Sequence, residues 1–498
     1  MNQKSNNIIE RYFFWIAISL LIKSLVVLLL MYNLDLLQND GLLGICNGDC
    51  PDYLHTAQNL ANTGTFGRLA DGKVHPYAGR MPGYDVVLAP LFLFFDDFWV
   101  KNLAYILQII LSAISTYFLA KTAYLIFHSA RFFYLTFFIY AINSFITFYD
   151  LFILTESFCV SALIIGIYLF IAGKNHWYYI FSGAFLTWAI LMRPYILPLL
   201  VLFCLYLFYT HFYQQKKSLF NVLKILVSFN SIFLINEVIW TARNYVHFNK
   251  FIPVVTDVHA GLKEGKFLAL MEFVQAWGGD MVGWNPEAEI TLFYKVPQIN
   301  HLPTKYKSFE DLPAYIFTPA YNTDSLQKIK LLYAMADDPA VSAKEKMIAD
   351  LEVTQMLRRY RNSFMEEKPF YFRVVAPLRL LPKFLLHSGS YNISNTPFAK
   401  QNLFQKFIKI SYSALYYFVL LIGFSFAFYA LFHFRQMPLA YWLMLLIPLY
   451  IVTLCPLVLR RIEYRYFITA YPYLTILACY MLNLVLSYFI KPNQSRLG

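Results

Sequence analysis

Charged residues are scarce in this sequence of 498 amino acids. Only 14% of the residues are Asp, Glu, Lys or Arg, against about 25% in an average soluble domain. Hydrophobic residues make up 59% of the chain and aromatic residues 19%. A soluble fold of this length could not cover so much apolar surface, because its exterior has to be polar. The shortage of charge therefore excludes an ordinary water-soluble protein and indicates an integral membrane protein.

Other common signals are missing as well. The six cysteines show no zinc-ligand spacing, and the sequence has no visible internal repeat or low-complexity tract. The net charge of +12 comes from basic residues in short segments between apolar runs, which is typical of membrane loops, so we expect no nucleic-acid partner. The first apolar run lacks a small-residue cleavage site, so we expect it to remain as an anchor.

Long apolar runs recur along the chain. A membrane span needs about 20 mostly apolar residues. The sequence predicts spans over 12–33, 98–127, 132–149, 157–173, 177–192, 195–213, 219–240, 408–432, 438–457 and 466–489. The predicted fold class is an all-α polytopic membrane protein with about ten transmembrane helices.

The lysines and arginines of the short loops predict the orientation of these spans. Placing the N-terminus in the cytosol keeps most of these basic residues inside, as the positive-inside rule requires. Both termini are then cytoplasmic, and the loop 34–97 lies outside. We predict three parts: an N-terminal membrane module over 1–240, a mixed, mainly helical extracytoplasmic loop domain over 241–407, and C-terminal membrane helices over 408–498.

The loop domain contains one clear helix signal. Ser342 and Glu345 follow a proline and have the spacing of a capping box, which predicts an amphipathic helix over 340–364. In this helix we expect four apolar residues to pack inward: Ile348, Leu351, Met356 and Leu357.

The first candidate for chemistry is the segment Cys46-Asn-Gly-Asp-Cys50, just beyond the first span. Asp49 at the membrane surface can act as a general base on a hydroxyl. The alternative is a simple Gly-Asp turn, because both residues favour turns. Cys46 and Cys50 form a small disulfide if the outside is oxidising, and unpaired thiols are the other interpretation.

The second candidate is Arg80-Met-Pro-Gly-Tyr84, which precedes another apolar run. An arginine held by a Pro-Gly turn at the membrane interface can bind a phosphate through two parallel donors. The alternative is an arginine whose side chain snorkels to lipid headgroups.

The third candidate is a set of charged residues in short outer turns. Basic residues on the wrong side of the positive-inside rule need an anionic partner. Taken singly, each residue of the set is more often a helix cap or an interfacial anchor, but together they indicate a shared cleft. The set comprises Asp150, Glu156, Arg193, Arg243, Arg460, Arg461 and Arg465.

These residues resemble the membrane glycosyltransferases of the GT-C class. Asp49 with Tyr53, followed by Arg80-Met-Pro-Gly-Tyr84, is similar to the start of bacterial relatives of protein O-mannosyltransferases and of the aminoarabinose transferase that acts on lipid A. The later motifs of this sequence follow in the same order as in those bacterial relatives. These motifs are Thr155-Glu156-Ser157, Arg193-Pro194, Arg243-Asn244 and Arg465-Tyr466. The resemblance covers residues 1–265 and 455–475 and is thin over 266–407.

The resemblance implies transfer of a sugar from a polyprenyl-phosphate donor to an acceptor hydroxyl on the outer face, with inversion at the anomeric carbon. It implies that Asp49 is the base, and that Asp150 and Glu156 are further acidic residues of the catalytic site. The donor phosphate would be bound by Arg80, Arg460, Arg461 and Arg465. The candidate substrate-loop residues are Tyr53, Tyr84, Arg193 and Arg243.

The resemblance also implies partners and a location. The partners are the lipid-linked donor, a protein, lipid or polysaccharide acceptor, and membrane lipids. No cofactor is required, and a divalent ion shared by Asp49 and Asp150 is the less favoured alternative.

An Asn- and Lys-rich composition favours a bacterial inner membrane with a periplasmic site. The chain departs from the family at Asp85, where relatives carry proline, and at Asn249-Lys250, where they tend to carry glycine.

Two other classes of protein share part of this pattern. A transporter or flippase of lipid-linked sugars is also polytopic, but transporters usually place charges and Gly- or Pro-broken helices near the bilayer midplane. In this sequence the charged residues of the short turns lie at one predicted face of the membrane, and the middle of most spans carries no charge. A non-catalytic membrane scaffold would not need Asp49, Arg80 or Arg465. Within the enzymes, an oligosaccharide polymerase or ligase also uses lipid-linked sugars.

Overall fold

The computed structural model describes residues 9–36, 41–255, 265–282, 288–293, 307–394 and 396–490. Regular structure in these ranges is helical apart from one two-stranded antiparallel sheet. In the same ranges, seven helices are long and apolar enough to cross a membrane, or eight if one bent pair counts as a single span. The all-α polytopic prediction is confirmed, whereas the number of ten spans stays a prediction.

The N-terminal half contains most of the elements that matter for the site. In chain order they are α1 Tyr12–Asn33, α2 Cys50–Thr63, β1 Gly67–Ala70, β2 Lys73–Pro76, α3 Asp85–Phe92, α4 Asp97–Phe127, α5 Ala130–Ala141, α6 Ser144–Thr147, α7 Thr155–Ile171, α8 His176–Met192, α9 Leu197–Phe208 and α10 Leu219–Phe248. A 3₁₀ turn over Phe148–Leu151 follows α6, and a π-helical turn over Tyr209–Gln214 extends α9.

The described residues after 255 add seven longer helices. They are α11 Lys266–Ala276, α12 Thr323–Asp337, α13 Ala343–Glu367, α14 Ala376–Leu385, α15 Leu403–Phe432, α16 Leu439–Val452 and α17 Tyr471–Ile490. Shorter 3₁₀ turns lie over Glu289–Leu292, Phe309–Asp311, Ala314–Ile316, Ser390–Ile393, Phe398–Lys400, Phe434–Gln436, Pro194–Ile196 and Tyr464–Thr469, and π-helical turns lie over Tyr371–Val375 and Thr453–Val458.

The predicted spans match helices closely, because polar caps mark their ends. Asp96 accepts a hydrogen bond from the backbone N–H of Trp99 and so begins α4. Asn402 and Gln405 form a capping box at the start of α15. Such caps satisfy backbone N–H groups that have no partner within the helix.

The predicted span 132–149 is broken where the sequence carries Asn143. Its side chain accepts from the N–H of Ile146 and begins α6, while its amide Nδ2 donates to the hydroxyl of Tyr471 over 2.9 Å. α5 and the helical stretch Ser144–Leu151 are bent by 49° relative to each other. The break lets the chain turn at Asp150, so this residue lies within a folded segment instead of in an open loop.

The chain divides into two compact units. The first comprises Met1–Thr256, Ser388–Leu449 and Ile468–Gly498, and the second comprises Asp257–His387 and Tyr450–Phe467. The three parts that the sequence predicts, 1–240, 241–407 and 408–498, stay a prediction.

The second unit has its own apolar core. α11, α12 and α13 enclose fully buried side chains that include Trp277, Tyr360 and Phe364. The capping box of Ser342 and Glu345 is confirmed at the start of α13. The inward face was predicted correctly for two residues: Leu357, which is fully buried, and Met356, which packs against this core.

The expected packing of Ile348 and Leu351 was wrong, since both are 51% exposed. Ala349, Val353 and Leu357 recur every four residues along α13 and form its buried face, and Ile348 and Leu351 lie off that stripe.

Candidate active site

The first loop is folded tightly against the membrane helices. Its hairpin β1–β2 turns at Asp71 and Gly72, which both have positive φ, as a type I′ turn requires. The backbone of Ile45 pairs with Phe152 in a parallel bridge, and the N–H of Ile45 donates to the carbonyl of Leu151 over 2.7 Å. The segment that precedes Asp49 is therefore fixed to the turn that contains Asp150.

A disulfide encloses the candidate base. Cys46 and Cys50 are bonded, which answers the question that the sequence left open. Gly48 between them has φ of +60°, a conformation that glycine adopts at little cost. Asp49 is the N-cap residue of α2, but its side chain makes no capping hydrogen bond. The carboxylate is thus directed elsewhere.

The structure brings Asp49 and Arg80 together. Nη2 of Arg80 lies 3.0 Å from Oδ1 of Asp49, and the side chains are 16% and 34% exposed. The guanidinium of Arg80 also lies over the ring of Tyr53, 4.5 Å from its centroid. Burial raises the pKa of Tyr53, so the phenol stays neutral and offers an aromatic face to the cation.

Two further residues extend this contact, and the sequence analysis missed both. Oδ2 of Asp52 lies 2.8 Å from Nη2 of Arg68 and 3.5 Å from Nη2 of Arg80. The guanidinium of Arg68 lies over the ring of Tyr77 at 4.1 Å. The order Arg68, Asp52, Arg80, Asp49 forms a row of alternating charges, which we call the charge ladder.

The Asp-Gly turn was the signal that could have revealed Arg68. Asp71-Gly72 is a strong hairpin signal, and the resulting register pairs Arg68 with His75. That register places Arg68 in a structured strand beside α2, not in an open loop.

Tyr84 and Asp85 lie beneath the ladder. The ring of Tyr84 contacts that of Tyr53 edge-on at 5.3 Å, and its hydroxyl donates to Oε1 of Gln108 over 2.8 Å. The buried carboxyl of Asp85 is hydrogen-bonded to the hydroxyl of Thr56. Burial raises the pKa of Asp85 to about 7. Tyr84 is fully buried, so it supports Tyr53 rather than facing a substrate.

Asp150 was predicted to be catalytic, but the structure places it in the interior. Its Oδ2 lies 4.0 Å from Nζ of Lys23, and both side chains are at most 1% exposed. Its Oδ1 accepts from the hydroxyl of Ser157 over 2.5 Å. Gln108 donates to the backbone carbonyls of Asp150 and Phe152 over 3.0 and 2.8 Å. Asp150 thus lies among groups that hold the turn, away from solvent.

Glu156 and Arg193 were predicted as separate site residues and are partners of each other. They form a buried ion pair, and Nε of Arg193 donates to the hydroxyl of Thr155 over 3.0 Å. This pair joins the start of α7 to the end of α8. A buried pair of this kind is costly to break and holds two helix ends together.

Arg243 contacts protein carbonyls. It donates to the carbonyl of Phe66 over 2.6 Å and to that of Tyr77 over 2.9 Å. These residues flank the hairpin on either side, so Arg243 connects the base of the hairpin to α10. Arg243 therefore supports the hairpin that carries Arg68, and its role at a substrate stays a prediction.

The three C-terminal arginines lie in the second compact unit. Arg460 donates to the carbonyls of Gln275 and Ala276 over 3.0 and 2.9 Å and lies over the ring of Phe372 at 4.0 Å. Nε of Arg465 donates to Glu463 over 2.5 Å. Backbone carbonyls thus accept hydrogen bonds from Arg460. The role of Arg460, Arg461 and Arg465 at a donor phosphate stays a prediction.

Comparisons with known proteins give one similar structure. No family model and no curated protein matches the chain. Among solved structures it is similar to ArnT from Cupriavidus metallidurans bound to undecaprenyl phosphate, with 12% identity, coverage of 94% of this chain and 78% of that chain, and a TM-score of 0.33. A TM-score this low carries no argument about the site, whose chemistry therefore has to be inferred from the side chains of this protein.

Proposed function

We propose that this protein is a glycosyltransferase that moves a sugar from a polyprenyl-phosphate donor to an acceptor hydroxyl outside the membrane. The contact between Asp49 and Arg80 is the observation that carries the proposal. It places a carboxylate that can take a proton within 3.0 Å of a cation that can bind phosphate. Both lie in the segment between α1 and α4, two helices that are long and apolar enough to cross a membrane, and a lipid-linked sugar presents its phosphate at the membrane surface.

The chemistry is a single displacement. Asp49 accepts the proton of the acceptor hydroxyl while the oxygen forms a bond to the anomeric carbon. The bond from that carbon to the phosphate oxygen breaks, and its electron pair leaves with the lipid phosphate. Arg80 stabilises the charge that develops on the leaving group through preorganised donors. Attack from the face opposite the phosphate inverts the anomeric centre.

The charge state of Arg80 suits this role. Burial opposes its charge, but the Asp49 carboxylate beside it raises the pKa of the guanidinium above its ordinary value. A guanidinium that stays protonated retains its two parallel donors at any physiological pH. A phosphate that binds Arg80 competes with Asp49 for the guanidinium, and a carboxylate that is less neutralised by a cation is the stronger base.

The disulfide supports the outward placement of this loop. Disulfides such as Cys46–Cys50 persist in oxidising compartments and are rare in the cytosol. This agrees with the orientation that the basic residues of the short loops predict. We therefore propose that the ladder faces the periplasm of a bacterial cell or an equivalent compartment.

Transport of a lipid-linked sugar is the second candidate, and Lys23 is the observation that favours it. Lys23 lies in the middle of the apolar helix α1 and is fully buried, and ionisable groups at this depth often mark a transport path. Lys23 is paired with Asp150, however, and the more exposed charges are those of the ladder. We rank transfer ahead of transport for this reason.

Mass spectrometry of envelope glycans tests the proposal. Four strains are compared: a deletion, the deletion with the wild-type protein, and the deletion with Asp49→Asn or with Asp97→Asn. We expect one sugar to vanish on deletion, to return with wild type and Asp97→Asn, and to stay absent with Asp49→Asn. Asp97 is the matched control because it pairs with Lys101 at an exposed helix end. Full restoration by Asp49→Asn would exclude Asp49 as the base, and unchanged glycans on deletion would favour transport.

A further inference from the structure

One carboxylate oxygen is shared between two arginines in the charge ladder. Oδ2 of Asp52 accepts from Nη2 of Arg68 at 2.8 Å and lies 3.5 Å from Nη2 of Arg80. Both guanidiniums therefore converge on a single anionic oxygen. An oxygen between two guanidiniums is the position that a phosphate oxygen takes in a two-arginine site.

Each arginine also contacts an aromatic ring. Arg68 lies over Tyr77 and Arg80 over Tyr53, and these ring contacts do not involve the anion between the two cations. Nε of Arg68 and Nη1 of Arg80 are buried, and neither makes a hydrogen bond of good geometry within the described residues. The pair thus has donors to spare beyond those that Asp52 uses.

Asp52 is held at its carboxylate by the two arginines. Its side chain is 44% exposed, and its described side-chain contacts are those with Arg68 and Arg80. It lies in the first turn of α2, where the helix dipole favours an anion whether that anion is a carboxylate or a phosphate. A single rotation of the side chain toward solvent would vacate the position between the guanidiniums.

We propose that Arg68 and Arg80 together form the seat for the phosphate of the polyprenyl carrier, and that Asp52 occupies this seat until the phosphate displaces it. This inference rests on the proposed function, which supplies the phosphate at Arg80. It assigns a binding role to Arg68, and it makes Asp52 a competitor that selects for ligands carrying more negative charge than a carboxylate. An uncharged lipid or a single carboxylate gains no binding free energy by displacing Asp52.

The proposal makes a prediction of unusual sign. Removal of this acidic side chain strengthens binding of the phosphate. While Asp52 fills the seat, the phosphate binds only the fraction of molecules whose seat is empty, so the apparent affinity is the intrinsic affinity multiplied by that fraction. If Asp52 fills the seat about nine-tenths of the time, Asp52→Asn binds the lipid about tenfold more tightly. Arg68→Gln weakens binding, and the gain from Asp52→Asn is lost when Arg68→Gln is present as well.

The test is direct binding of undecaprenyl phosphate to the purified full-length protein in detergent, measured by native mass spectrometry. Wild type, Asp52→Asn, Arg68→Gln, the double variant, Arg80→Gln and the control Asp97→Asn are compared, and the melting temperature of each is recorded without lipid. Inorganic phosphate and phosphatidic acid serve as competitors, which separates recognition of a free phosphate, a bilayer lipid and a polyprenyl phosphate. Asp52→Ser repeats the measurement if Asp52→Asn lowers the melting temperature.

We expect Asp52→Asn to bind more tightly, Arg68→Gln and Arg80→Gln to bind more weakly, and Asp97→Asn to match wild type. Weaker or unchanged binding by folded Asp52→Asn and Asp52→Ser overturns the competitor role of Asp52. If binding depends on Arg80 but not on Arg68, the shared seat is wrong while the proposed function stands. If wild type binds no polyprenyl phosphate, the proposed function and this inference both fail.

Discussion

Lys23 and Asp150 are paired although they lie far apart in the sequence, with Nζ of Lys23 4.0 Å from Oδ2 of Asp150 in an interior where neither is exposed to solvent. Lys23 also donates to the hydroxyl of Thr147 over 3.2 Å. Since the turn at Asp150 is bridged to Ile45, this pair supports the segment that leads to the candidate base. The contact indicates a positioning role for Asp150, and the catalytic role stays a prediction.

Removing one charge of this pair should lower the free energy of unfolding more than removing both charges. Lys23→Met leaves a buried carboxylate without its cation, which costs about 3–5 kcal/mol. Lys23→Met combined with Asp150→Asn removes both charges and should recover most of the stability and of the sugar transfer. Thermal unfolding in detergent and the envelope-glycan assay measure the two effects. A stable but inactive double variant would instead mean that Asp150 acts on the substrate.

Arg243 should act through the hairpin. Arg243→Gln removes the donors that bind the carbonyls of Phe66 and Tyr77, so we expect faster hydrogen exchange over β1 and β2 and weaker binding of undecaprenyl phosphate through Arg68. Turnover at saturating donor should fall less than affinity. Lys250→Ala is the matched control, because Lys250 is an exposed cation just beyond the same helix. Unchanged exchange in the hairpin with a loss of turnover alone would indicate direct contact with substrate.

Asp85 should make stability depend on pH. Its pKa is raised by burial to about 7, so the folded protein retains a proton that the unfolded chain releases near pH 4. Folding stability attributable to Asp85 is therefore greatest at low pH and falls as the pH rises from about 4 to 7. Asp85→Asn, which cannot ionise, should flatten the profile of melting temperature between about pH 5 and pH 7. Parallel profiles for the two proteins would exclude the effect.

The Cys46–Cys50 disulfide should stabilise the loop around Asp49. Closing so short a loop contributes about 2 kcal/mol on the chain-entropy estimate. Cys46→Ser with Cys50→Ser should lower the melting temperature and reduce sugar transfer, because Asp49 lies between the two cysteines and loses its fixed direction. Cys204→Ser is a suitable control, since Cys204 is a free thiol in α9. Full transfer by the double serine variant would show that the disulfide does not orient Asp49.

The apolar runs were enough to predict the helices. α1 has the predicted bounds. When the flanking 3₁₀ and π-helical turns are included, the ends of the other spans fall within about five residues of the prediction apart from α10, which extends to Phe248. The bend at Asn143 was missed, because a single polar residue within an apolar run is usually tolerated in a span, whereas here it caps a new helix and binds Tyr471. The exposed faces of α13 were partly misjudged, since several apolar residues of that helix lie off its buried stripe.

The site was only partly predictable. Asp49 and Arg80 were identified because each lies at a turn signal next to an apolar run. The partners of Asp150, Glu156, Arg193 and Arg243 could not be read from the sequence, since a charged residue at a helix end looks the same whether it meets substrate or another buried charge. Asp52 and Arg68 were missed because their contact depends on the packing of the hairpin against α2.

The most direct test of the central claim is the fate of the donor lipid in a purified system. Wild-type protein, Asp49→Asn and Arg80→Gln are incubated with lipid-linked sugars and acceptor membranes extracted from the deletion strain, and free polyprenyl phosphate is measured by mass spectrometry. We predict that wild type releases polyprenyl phosphate in step with sugar incorporation, and that Asp49→Asn does so about 10²–10⁴-fold more slowly while still binding the lipid. Release by Asp49→Asn at the wild-type rate, or no consumption of lipid-linked sugar by the wild type, would contradict transfer by an Asp49 base.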